Sequence, residues 1–158
     1  MRLEGSCHCG AVRFRCEAPS PVPYQRCYCS ICRKQQGGGG YAVNLGANAN
    51  SMWIEGREAI SVYHAEMEDG TSSGERNFCS RCGSALWLYD PTWPDLIHPF
   101  ASAIDTELPE PPAITSLMLD YKPKWAEVHD GPEDKHFGEY PDESLAEWHE
   151  RNEWEAPE

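Results

Sequence analysis

From residue 10 to residue 16 the chain alternates. Val12, Phe14 and Cys16 fall on one side, and Arg13 and Arg15 on the other. A period of two predicts a strand with one buried face. Pro19, Pro21 and Pro23 break that pattern. Shorter strand-like pieces follow at residues 41–44, 51–55 and 60–64, separated by turn residues at Gly46, Asn48, Asn50 and Gly56. Asp69-Gly70 has the composition of a hairpin turn. Arg76-Asn77-Phe78 leads into Cys79-Ser80-Arg81-Cys82-Gly83, and a hydrophobic piece at 85–89 leaves it, which predicts strand, tight knuckle and strand. Residues 90–113 read as a proline-rich loop, and residues 114–121 as a buried strand. Ser144 and Glu147 have the spacing of a capping box, with Leu145, Trp148 and Asn152 on a helical repeat. A short C-terminal helix pinned by Trp148 is expected. The pattern is that of a mainly β chain with no solenoid repeat, forming one domain over 1–158.

Length and composition fit a folded domain. The chain has 158 residues, six Trp and seven Tyr, too much aromatic bulk for a disordered segment. The net charge of −13 repels nucleic-acid backbones and anionic membranes, so neither is an expected partner. The acidic residues concentrate after residue 105, whereas the stretch holding Arg26, Arg33 and Lys34 carries no acid. The first residues lack the apolar stretch of a signal peptide, and no run is long enough to span a bilayer. A cytoplasmic location is the expectation, and reduced thiols with it.

Eight cysteines in a reducing compartment read as metal ligands or catalysts before they read as disulfides. Their order is Cys7-x-Cys9, Cys27-x-Cys29-x-x-Cys32 and Cys79-x-x-Cys82, with Cys16 alone. A CxxC knuckle supplies two thiolates from one tight turn, and CxC supplies two more from a strand end. Pairing the first and third clusters gives a closed four-thiolate zinc site that ties together a loop of about 70 residues. The middle cluster, Cys27, Cys29 and Cys32, has three thiols. Three protein ligands leave a fourth position for water or substrate, which is the pattern of a catalytic zinc. A thiol entering that position becomes a thiolate, a good nucleophile towards a carbonyl carbon. Both a second bound zinc and an empty triad remain open readings.

Other residues carry less. Cys16 reads as a small buried hydrophobe. His8, between two ligands, should face outward, and His64 and His98 have no assigned role. Arg33 and Lys34 are either solvated charges or the means of steering an anionic substrate to an open metal. Gly37 to Gly40 form either a flexible loop or a backbone cradle for a carboxylate.

Three stretches together resemble a known family: residues 5–14 (GSCHCGAVRF), 27–34 (CYCSICRK) and 78–86 (FCSRCGSAL). They are similar to the glutathione-dependent formaldehyde-activating enzymes, also called the centromere-protein-V-like domain. Residues 122–128 and 140–144 add to the likeness, which spans roughly residues 3 to 150, and the stretch between 37 and 75 contributes little. The resemblance implies small, β-tent-like sheets organised around zinc-binding knuckles. It implies a structural zinc at Cys7, Cys9, Cys79 and Cys82 and a catalytic zinc at Cys27, Cys29 and Cys32. It also implies a carbon–sulfur lyase chemistry, in which glutathione and formaldehyde condense to S-hydroxymethylglutathione or the adduct is cleaved. The expected partners are then a small thiol such as glutathione and a small aldehyde. The rival reading is a zinc-stabilised binding module, or a diverged non-catalytic member, that meets protein partners through Trp125, Trp148 and Trp154.

Overall fold

The computed structural model describes residues 1–152. The strands, in chain order, are β1 (Arg2–Ser6), β2 (Arg13–Glu17) and β3 (Tyr24–Cys27), then helix α1 (Ser30–Gln36), β4 (Ala42–Asn44) and β5 (Ala47–Glu55). They continue with β6 (Ile60–Tyr63), β7 (Glu66–Met67), β8 (Gly70–Thr71), β9 (Glu75–Cys79), β10 (Ala85–Tyr89) and β11 (Leu96–Pro99). Then come β12 (Ile114–Leu117), β13 (Lys135–His136) and the C-terminal helix α2 (Leu145–Asn152). The protein is mainly β, as the alternation implies.

A seven-stranded sheet has the order β1-β2-β5-β11-β10-β9-β6, and a four-stranded sheet the order β13-β12-β3-β4. In the smaller sheet β12 runs parallel to both β3 and β13. The two sheets meet where Asn44 bridges to Phe100 and the Leu45 N–H donates to the Pro99 carbonyl at 2.9 Å. One face of the large sheet builds the main core from Leu3, Phe14, Cys16, Leu86, Trp87 and Ile97. The Phe14 and Trp87 rings meet edge-on at 5.0 Å, a geometry that suits their quadrupoles.

Several elements differ from the sequence expectation. Asn48 and Asn50, expected in a turn, lie inside β5. There the register with β2 shifts between Arg15 and Glu17. The Asn50 N–H donates to Asn48 Oδ1 at 2.9 Å and the Ser51 hydroxyl to the Asn48 carbonyl at 2.6 Å. Turn-type bonds are thus made within a bulged strand. The proline-rich loop at 90–113 contains β11, between β5 and β10 in the large sheet. It is only four residues long and ends on a proline, so its pattern is too short to register. In the hairpin of β7 and β8, Met67 pairs with Gly70. The turn residues are therefore Glu68 and Asp69, and Gly70 (φ 128°) begins the return strand. The strand expected over 114–121 stops at Leu117, because Met118 adopts a left-handed conformation (φ 59°) before a 3-10 turn.

The C-terminal helix forms as expected. The Glu147 N–H donates to Ser144 Oγ at 3.2 Å, and the Ser144 N–H to Glu147 Oε2 at 2.6 Å, closing the capping box. Trp148 is buried against Val22 and Ala113. It is therefore unavailable as the contact that a binding module would need. Trp125 is exposed, and Trp154 lies outside the described residues.

Candidate metal centres

The first cluster grows out of two strand ends. β1 delivers Cys7 and Cys9 into a tight turn, and β9 ends on Cys79, three residues before Cys82 in the knuckle to β10. Gly83 follows in the positive-φ conformation (77°) and donates its N–H to the Cys79 carbonyl at 2.8 Å. The four Sγ atoms lie within 4.8 Å of one another. Cys7 and Cys9 are separated by 3.6 Å, and Cys9 and Cys79 by 3.8 Å. Sulfurs about 2.3 Å from one tetrahedral ion would be about 3.8 Å apart, so the donor set fits. All eight cysteines are free thiols. Cys7 and Cys79 are buried and Cys9 and Cys82 exposed, so the cluster sits as a clasp at the protein surface. The Ser84 hydroxyl and N–H hold the Cys82 thiol down to about 5.

Gly56 shapes the same corner. A Cβ on it would lie 1.8 Å from the Ala11 carbonyl oxygen, and its φ is +81°. Only glycine fits where the turn after β5 passes under the turn bearing Cys7 and Cys9.

The second cluster stands at the end of the small sheet. Cys27 closes β3, Cys29 is the N-cap of α1, and Cys32 lies in the helix's first turn. The Cys29 sulfur accepts the Cys32 N–H at 3.3 Å, doing what a Ser or Asp cap does. This helix was not anticipated, since seven residues carry too little periodicity to stand out. The three Sγ atoms lie within 4.8 Å of one another. Cys27 and Cys32 are buried, and Cys29 is less completely so. Cys27 and Cys32, with the N–H groups of Cys32 and Ile31, hold the Cys29 thiol far below the usual thiol range. Cys29 and Cys32 in turn push Cys27 up.

Two residues that the sequence did not single out complete this site. Buried Arg76 of β9 directs its guanidinium to Cys32 Sγ at 3.6 Å, and the Asn44 amide lies 3.9 Å from the same sulfur. Arg76 pairs directly with Tyr63 and with Leu88, which pairs with His98. These four share one row and one face of the large sheet, the face turned to the triad. Burial lowers the His98 pKa, and its Nδ1 lies 3.0 Å from the Leu45 carbonyl. Met118, packed against the triad, holds its left-handed backbone there.

The remaining candidates divide. Lys34 lines a cleft beside α1 with Ser30, Ile31, Gln35, Tyr63 and Glu66, whereas Arg33 is not part of it and has a buried Nε with no hydrogen-bond partner among the described residues. His8 is exposed, as expected, and its N–H donates to Ser84 Oγ at 3.0 Å. Cys16 is buried in the main core, as expected of a small hydrophobe. In the glycine run, Gly37 caps α1 by donating to the Arg33 carbonyl, and Gly40 lies under Ala126, where a Cβ would come within 2.6 Å. Those two glycines have structural reasons that need no ligand.

Comparison with known proteins follows this geometry. The family described as glutathione-dependent formaldehyde-activating enzyme matches residues 2–116. The chain belongs to this family. A protein of Halomonas elongata named "Putative glutathione-dependent formaldehyde-activating enzyme" is 60% identical over 151 residues, covering 96% of each chain. A crystal structure of a Rhodobacter sphaeroides protein matches with a TM-score of 0.54 at 23% identity, covering 69% of this chain and 92% of that one. This last likeness concerns the fold. The family match takes in both cysteine clusters and ends within β12.

Proposed function

We propose that the protein is a zinc-dependent carbon–sulfur lyase that joins glutathione to formaldehyde, or cleaves the adduct. The observation that carries this reading is the convergence of three thiols within 4.8 Å of one another, with no fourth ligand beside them among the described residues. Family membership and the name of the Halomonas elongata relative support the substrate pair. Cys7, Cys9, Cys79 and Cys82 are the structural zinc ligands in this reading, and Cys27, Cys29 and Cys32 the catalytic ones. Cys27, Cys29 and Cys32 would hold the ion, which would supply Lewis acidity that favours the thiolate form of an incoming thiol.

The chemistry needs no redox partner. The glutathione sulfur adds to the formaldehyde carbon, a C–S bond forms, the C=O π bond breaks, and a proton ends on the new hydroxyl. Lys34 and Glu66 face the same cleft, and offer partners for the carboxylate and the ammonium of a zwitterionic thiol. The cytoplasm, where glutathione is reduced and abundant, is the location that suits this reaction.

The test is Cys29→Ser on freshly reduced protein. Zinc per chain should fall from near two to near one, and formaldehyde-dependent consumption of glutathione should be lost. Unchanged consumption in the variant would remove the proposal.

A further inference from the structure

A buried guanidinium must find an anion, because an unpaired buried charge costs several kcal/mol. Arg76 is 8% exposed. Among the described residues it has no carboxylate at ion-pair distance, and its hydrogen-bond partner is the Cys32 sulfur. Three thiolates around a divalent cation leave one net negative charge, which a single guanidinium balances.

We infer that Arg76 is the positioning countercharge of the three-cysteine centre: its guanidinium donates to the Cys32 sulfur, neutralises the thiolate set, and lowers the electron density on that ligand. The inference rests on the triad being a metal centre and goes beyond that reading in assigning this residue. It has a chemical consequence. In a site where several sulfurs face one small aldehyde, a thiolate that accepts hydrogen bonds is the weaker nucleophile. Cys32 accepts from Arg76 and lies within reach of the Asn44 amide, and Cys29 accepts from the helix backbone. Cys27 has no such donor among the described residues, but it is buried at the end of β3. Arg76 therefore spares Cys32 from the addition and leaves the sulfur of the incoming thiol as the better nucleophile. Second-layer partners of metal ligands change metal affinity by about tenfold to a hundredfold when they are removed.

The experiment uses the full chain in three forms: unaltered, Arg76→Met and Arg76→Lys. Each is loaded with zinc and titrated with a chromophoric chelator, then reloaded with cobalt(II) to read the sulfur-to-metal charge-transfer band. The expected result is two zinc ions in the unaltered protein. In Arg76→Met the second ion should be held about tenfold to a hundredfold more weakly, the first should be unchanged, and the cobalt band should shift. Arg76→Lys, which keeps the charge and N–H donors, should recover most of the affinity and of the band position. Retention of the first ion separates a local effect from unfolding. If Arg76→Met does not fold, Arg76→Lys decides: a second ion held as in the unaltered protein supports the inference. A second ion lost from Arg76→Lys overturns it. Unaltered affinity and band position in Arg76→Met would also overturn it. A single zinc in the unaltered protein would defeat the catalytic-metal reading itself, before any comparison among the variants.

Discussion

Arg76 and Cys79 stand three residues apart on β9 and serve different cysteine clusters, Arg76 reaching the Cys32 sulfur and Cys79 joining Cys7, Cys9 and Cys82. In a strand, residues three apart point to opposite faces and are separated by about 10 Å. One rigid strand, hydrogen-bonded on both sides by β6 and β10, therefore fixes both centres. The clasp at its end holds the strand that presents the guanidinium.

Loss of the clasp should be felt at the triad. Cys82→Ser removes one thiol of the four-thiol cluster. Zinc per chain should fall, and stability should drop by roughly 3 kcal/mol or more, lowering Tm by about 6–12 °C. An ion at Cys27, Cys29 and Cys32 should also bind more weakly, because the end of β9 is less firmly held. Chelator titration with thermal melts checks this. A triad that keeps its full affinity would show that the two centres are independent.

Lys34 is exposed, so its part in binding should be modest. Lys34→Gln should raise KM for glutathione about two- to fivefold, in line with an exposed ion pair worth up to about 1 kcal/mol, and leave kcat unchanged. KM for the uncharged thiol 2-mercaptoethanol should not move. The effect should shrink with added salt, and steady-state kinetics at two ionic strengths would show it.

Gly56→Ala would place a methyl group on the Ala11 carbonyl and force a non-glycine residue to φ +81°. Backbone strain of this kind costs about 1–3 kcal/mol, and the steric overlap adds to it. The variant should melt at least several degrees lower and hold the four-cysteine ion less tightly. Melting at the unaltered temperature would mean that the turn relaxes freely.

Glu143 accepts from Arg151 at 2.6 Å and from Lys135 at 3.1 Å, joining α2 to β13. Arg151 first, then Lys135, hold its carboxyl at about 2, below the usual 4.5 of a glutamate. A depressed folded-state value means stability that is present above pH 4.5 and lost as the pH falls through about 2. Glu143→Gln should therefore be less stable than the unaltered protein at pH 7, by about 1 kcal/mol for a partly screened network. The gap should close at acid pH. Melting both proteins across that window tests the sign.

The amino-acid sequence by itself determined the chemistry of the cysteine clusters and much of the local structure. Cys7-x-Cys9, Cys27-x-Cys29-x-x-Cys32 and Cys79-x-x-Cys82 are legible because close spacing in sequence brings sulfurs together in one tight turn. The strand of Val12, Phe14 and Cys16 is legible because one face is buried, and the capping box of Ser144 and Glu147 because it is a local hydrogen-bond pattern. Only the tertiary structure decided what depends on distant partners. β11 is a central strand because β5 and β10 flank it, and its four residues carry no period of their own. Asn48 and Asn50 belong to a strand because β2 lies beside a bulge that uses their turn-forming bonds. Arg76 looks in sequence like any charged residue of a half-buried strand. Its partner Cys32 is 44 residues away, and sheet register alone turns its guanidinium towards the triad. Local patterns record which atoms could bind a metal, and long-range packing sets the charge that surrounds it.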